Sequence, residues 1–128
     1  MLPQMDNPQL SLIVLRTSQM EAMLGFYKAL GFTFAEEKHG SGPVHFSTQT
    51  GSSVLEIYPG DAGAPIDRKS SGATMLGFSV ASVDGVLASF DKTRSQVISS
   101  PKDSQWGRRA VVADPDGRAI ELSEPKKN

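Results

Sequence analysis

The chain has 128 residues, 13 Lys and Arg against 14 Asp and Glu for a net charge of −1, 38% hydrophobic residues and no cysteine. That length suits one compact domain able to bury about two thirds of its unfolded surface, so a core can form without covalent staples. The charge balance argues against nucleic acid or an anionic membrane as the main partner, and the lack of cysteine excludes disulfides, thiolate metal sites and cysteine nucleophiles.

No apolar run approaches the roughly 20 residues of a membrane-spanning helix. The opening MLPQMDNPQL lacks the basic and apolar segments of a signal peptide, so a cytoplasmic location is expected. LSLIVLR, residues 10–16, reads as a buried strand. In the next segment, Ser18 with Glu21 three residues on has the form of a capping box and predicts a helix start. Met20, Met23, Leu24, Tyr27 and Leu30 give that helix one apolar face, and Gly31 is placed to end it in the left-handed conformation. FTFAEEK, PVHFST and SVLEIYP follow as short strands separated by the turn segments HGSG and QTGS. Residues 60–73, GDAGAPIDRKSSGA, read as a linker or a mobile loop.

The order then repeats. TMLGFSV is a strand, and Ser82 caps a helix with Val83, Val86, Leu87 and Phe90 on one face. SQVISS, RRAVVAD and RAIELSE are strands, with DPDG a type I turn before the last. Phe26 and Phe90 occupy equivalent helical places 64 residues apart, and Glu56 and Glu121 sit centrally in the last strand of each half, 65 apart. Such self-similarity predicts two βαβββ modules, about 9–59 and about 74–125, within a single domain. Strand side chains alternate between faces, so Leu55 with Ile57, and Ile120 with Leu122, should pack on their helices while Glu56 and Glu121 look away from them. If the two sheets join into one curved surface, both glutamates face a common ligand or ion. The alternative is a solvated sheet face for each.

FYKALGF and WGRRAVVADPDGRAIELSEP resemble the glyoxalase/bleomycin-resistance/dioxygenase group, the vicinal oxygen chelate superfamily, with the resemblance running from about Leu10 to Pro125. It implies an α+β fold of two βαβββ modules forming a cup-shaped, partly open mixed β-barrel with helices outside, and commonly a homodimer. It also implies, for the metalloenzymes of the group, one divalent ion in the cup, held from the first and last strands of each module. Glu56 and Glu121 match the last-strand ligand positions. The first-strand positions fall on Leu10 or Leu12 and on Met75, none of them a ligand for a hard or borderline divalent ion. No cofactor is therefore assured, and a divalent metal ion on Glu56 and Glu121 is the one candidate.

His45 either lines the cup, as an imidazole ligand or a general base beside Glu56, or is a surface or edge histidine; His39 falls in a turn. Trp106 either walls the mouth of the cup and stacks on a planar ligand, or packs at the domain edge or a dimer contact. Arg108 and Arg109 alternate faces, so only one can enter the cup and pair with Glu121 or a ligand anion. No nucleophile elbow or phosphate loop is present. The candidate site is thus Glu56, Glu121 and His45 for catalysis, with Leu12, Tyr58, Met75, Trp106 and Arg109 for ligand contact. Three functions fit: a protein that binds or transforms a small molecule without a conventional metal site; a metal-dependent lyase, isomerase or dioxygenase with a reduced ligand set; and a non-catalytic interaction domain.

Overall fold

A computed structural model describes residues 7–63, 74–90 and 96–126. The first half runs β1 (Leu12–Thr17), α1 (Met20–Leu30), β2 (Ala35–Glu37), β3 (His45–Thr50) and β4 (Ser53–Pro59). The second runs β5 (Leu76–Ser79), α2 (Val83–Ser89), β6 (Gln96–Ser104), β7 (Gly107–Ala113) and β8 (Ala119–Pro125). Strand, helix and three strands therefore occur twice. Each half builds a four-stranded mixed sheet, ordered β1-β4-β3-β2 and β5-β8-β7-β6. In each, the first strand pairs parallel with the last and the other pairs are antiparallel. A parallel pair needs a long crossover, which the rest of its module supplies. Among the described residues the sheets do not close into a barrel, leaving an open, cup-like α+β architecture. Residues 64–73 of the expected linker, Ser95 of the expected SQVISS strand and residues 1–6 of the opening stretch lie outside the described residues.

Two helix ends follow their sequence signals and one does not, and α2 stops at Ser89, so that Phe90, expected on its face, is instead its extended C-cap (φ −73°, ψ 142°). Gly31 terminates α1 at φ 119°, as a residue without Cβ allows, and its N–H bonds back into the last turn. At α2, the Ser82 hydroxyl accepts from the Gly85 N–H (3.0 Å) and the Glu124 carboxylate from the Val83 N–H (2.9 Å), satisfying two free donors of the first turn. The capping box expected at Ser18 and Glu21 does not form. Gln19 is the N-cap with no side-chain cap bond, because the Thr17 hydroxyl takes the Gln19 N–H (3.0 Å) and turns the chain one residue later.

Leu55, Ile57, Ile120 and Leu122 are fully buried in one core with Met23, Phe26, Tyr27, Val83 and Val86. Phe26 and Phe90, the repeat-equivalent pair, stack on each other with centroids 5.2 Å apart. A polar network also ties the halves. The Tyr27 hydroxyl donates to Asp114 Oδ2 (2.8 Å), Gln19 donates to the Pro115 carbonyl (3.0 Å) and to Asp116 (2.7 Å), and Arg118 donates to the Arg16 carbonyl (3.0 Å). The DPDG segment turns as expected, with the Gly117 N–H bonded to the Asp114 carbonyl (2.8 Å).

Three strands differ from the sequence reading. β1 is not buried throughout: Leu15 and Thr17 are inside, whereas Leu12 and Val14 are 50% and 40% exposed, because only one face of the strand has a helix over it. β2 shrinks to three residues, since Phe32 and Phe34 turn into the core. β6 continues through Pro101 to Ser104, which an edge strand with register shifts tolerates.

Candidate functional site

The face of the first sheet opposite α1 carries the first cluster. Register places Val14 of β1 and Ser47 of β3 beside Glu56, and Arg16 beside Tyr58. His45, two residues before Ser47, shares this face and is only 1% exposed. Its ring lies parallel to Tyr58 at 4.1 Å and 7°, and the Arg16 guanidinium sits 5.7 Å from the Tyr58 centroid. His45 Nδ1 is 3.2 Å from the Pro43 carbonyl, which can only accept, so Nδ1 carries a proton. His45 Nε2 is 3.5 Å from Glu37 Oε1 and 3.7 Å from Glu56 Oε2, and 3.4 Å from Tyr58 Oη across the stacked rings. His39 closes on the same point. Its Nε2 is 3.9 Å from Glu37 Oε1 and its ring 5.1 Å from that of His45. The ligand-type atoms of Glu37, His39 and His45 all lie within 4.8 Å of one another, so these three residues could hold a metal ion.

The second sheet presents Glu121 in the equivalent place, between Gly77 of β5 and Val111 of β7. Arg109 donates from Nη2 to Glu121 Oε1. Arg108 points the other way and pairs with Asp84 (3.0 Å) and Asp103 (3.1 Å), and those hydrogen bonds hold its guanidinium above the usual arginine range. Arg109 is thus the arginine of the glutamate face. Trp106 lies 78% exposed in the β6–β7 turn, with its backbone N–H on the Ser104 hydroxyl (3.1 Å).

A metal set of the kind implied by the resemblance does not fit these residues. The strand neighbours of Glu56 and Glu121 are Val14 and Gly77, each two residues after the expected Leu12 and Met75, and none of the four offers a donor. Glu121 is already engaged by Arg109. Two carboxylates, one of them ion-paired, leave a divalent ion short of its usual ligands.

His39 and Glu37 were not among the site residues expected from sequence. The available signal was EEKHGSGPVH, a Glu and two His across a Gly-rich turn, where a hairpin places Glu37 opposite His45. An open groove of about 1060 Å³ on the helical side, lined by Met20, Leu24, Phe26, Phe90, Gln19 and Pro115 among others, also had no sequence signal.

The sequence model of the Glyoxalase/Bleomycin resistance protein/Dioxygenase superfamily matches residues 9–122. The chain belongs to this superfamily. Among its relatives is an uncharacterized protein of Mycolicibacterium smegmatis, 28% identical over 123 residues, covering 96% of this chain and 99% of the relative. A glyoxalase/dioxygenase from Nostoc punctiforme superposes with a TM-score of 0.75 at 19% identity, over 99% of this chain and 97% of that one. TnmS3, an antibiotic binding protein from Streptomyces, superposes at 0.62 with 23% identity, over 94% and 98%. These structural likenesses establish the glyoxalase-type fold.

Proposed function

We propose that this superfamily member binds a small, partly planar, partly apolar molecule on the sheet faces turned away from the helices, without a metal ion on Glu56 and Glu121. The observation that carries this reading is the character of β1. A solvated strand face would be polar, yet Leu12 and Val14 stand about half exposed beside Val54 and Glu56, with Met75 also 50% exposed before β5. Covering each such side chain with a ligand adds about 1 kcal/mol of apolar burial. The stacked His45–Tyr58 pair offers an aromatic edge, Glu56 and the Glu121–Arg109 pair offer polar anchors, and Trp106 supplies an exposed indole for a planar ligand. The likeness to an antibiotic binding protein agrees with a binding role. If the ligand is also transformed, Glu56, and Glu121 across the cup, are the residues to move protons. We take the two modules as one functional domain, acting in the cytoplasm as a homodimer.

A thermal-shift screen of planar aromatic antibiotics and metabolites, run in EDTA, tests the proposal. A true ligand at about 100 times its Kd stabilises by about 2.7 kcal/mol, about 10 °C for a chain of this length. Val14→Asp, at an exposed position, should keep the fold and lose the shift. No shift with any compound, or equal shifts in the variant, would overturn the reading.

A further inference from the structure

We infer that Glu37, His39 and His45 form a binding site for one borderline divalent ion of the zinc type, at the β2–β3 end of the first sheet. The site lies apart from the first-strand and last-strand positions that the superfamily resemblance implies, and it does not rest on the small-molecule reading above.

The backbone builds it. Glu37 ends β2 directly across from His45, the first residue of β3, so their side chains share one face. Between them the turn bends at Gly40 (φ 58°) and closes with the Gly42 N–H on the His39 carbonyl (2.9 Å), which brings His39 back over the pair. Glu37 Oε1 then stands 3.5 Å from one imidazole Nε2 and 3.9 Å from the other. Ligand atoms about 2.0–2.2 Å from a tetrahedral zinc ion are about 3.3–3.6 Å apart, so those two edges need to close by at most a few tenths of an ångström, and the His39–His45 edge closes from within 4.8 Å.

The surrounding hydrogen bonds are also in place. The Pro43 carbonyl holds the His45 Nδ1 proton, as metal-ligating imidazoles usually require, and directs the Nε2 lone pair into the cluster. That lone pair converges with two carboxylates, Glu37 and Glu56, on one buried nitrogen. Two carboxylates meeting at one buried imidazole nitrogen are balanced by a cation at that point, which is either a proton on Nε2 or a metal ion in its place. The arginines described on the two glutamate-bearing faces are engaged elsewhere, Arg16 over Tyr58 and Arg109 on Glu121. Two imidazoles and one carboxylate suit zinc, cobalt, nickel or iron better than magnesium or calcium. A fourth position is left for water or for a donor atom of a ligand.

The test is calorimetric titration of the chelator-treated full chain with zinc chloride, with cobalt chloride as a spectroscopic probe. The expected result is one zinc per chain and a cobalt visible spectrum of low-symmetry, four-coordinate intensity. His39→Ala and Glu37→Gln each weaken zinc by more than about tenfold, a loss at least as large as that from changes to groups that only support a ligand. His39 is largely exposed, so that variant keeps the fold whatever His45→Ala does. Magnesium chloride should give no heat. No zinc binding overturns the site, as does zinc binding that survives His39→Ala or that is lost instead in a Glu121→Gln variant. Organic ligands that bind in EDTA while zinc does not bind would overturn this inference alone and leave the small-molecule reading standing.

Discussion

Replacing Tyr27 by phenylalanine removes one atom from the contact that joins the two modules. Tyr27 is fully buried and its hydroxyl donates to Asp114 Oδ2 at 2.8 Å. Asp114 keeps three further bonds in the variant, from the Asp116 and Arg118 N–H groups and from Arg118 Nη1. The carboxylate is not orphaned, so the cost is that of one charge-assisted hydrogen bond less the desolvation of a hydroxyl, about 1–2 kcal/mol. An unfolding entropy of about 2.1 cal/mol/K per residue converts this to a fall in Tm of about 4–8 °C. The pH dependence is a second signature. Burial first, and the Asp114 carboxylate next, raise the Tyr27 phenol well above its ordinary value of 10.0. The folded protein therefore holds that proton more tightly than the unfolded chain does. The resulting stability is complete below about pH 10 and is lost as pH rises beyond it, when the unfolded tyrosine ionises and the folded one does not. The phenylalanine of the variant has no such proton, so urea denaturation should show the gap between wild type and Tyr27→Phe narrowing steadily above about pH 10. Equal stabilities at pH 7 would mean that the hydroxyl contributes nothing, and a gap that stays constant to pH 11 would rule out the proton linkage.

Asp114→Ala should be worse, about 2–4 kcal/mol, because it removes the acceptor of the buried Tyr27 hydroxyl and of the Asp116 and Arg118 N–H groups at once, while Arg118 keeps Asp116 and the Arg16 carbonyl; urea denaturation would show it. Gly31→Ala forces a Cβ into φ 119° at the end of α1 and should cost about 1 kcal/mol or more, read as a drop in the denaturation midpoint at unchanged slope. Arg109→Ala and Arg108→Ala should each leave Tm within about 2–4 °C of wild type, as exposed ion pairs contribute little. Only Arg109→Ala should weaken a ligand found by thermal shift, since Arg108 faces Asp84 and Asp103 instead.

Some of this was legible in the sequence because it depends on period alone. The spacing of Phe26 and Phe90 and of Glu56 and Glu121 implied a repeat, and the two phenylalanines do stack across it. Alternation along VLEIY and IELS was enough to put Leu55, Ile57, Ile120 and Leu122 inside. Where a local signal competed with tertiary context it misled. The unbroken apolar run of β1 hid the fact that Leu12 and Val14 are about half exposed, and Ser18 lost the N-cap place to Gln19, whose N–H the Thr17 hydroxyl takes. Alternation also separated Arg108 from Arg109 without saying which faces Glu121, since that depends on pairing with β8. The Glu37–His39–His45 cluster needed the hairpin register, which a Gly-rich turn does not fix by pattern.

Ligand binding on the helix-free sheet faces is decided by a crystal structure of the protein with a compound that raises its Tm in the presence of EDTA. The ligand should lie on the sheet face against Leu12, Val14, Tyr58 and Glu56, with no ion between Glu56 and Glu121. A ligand seated instead in the groove between Met20, Leu24 and Phe90 would contradict that placement.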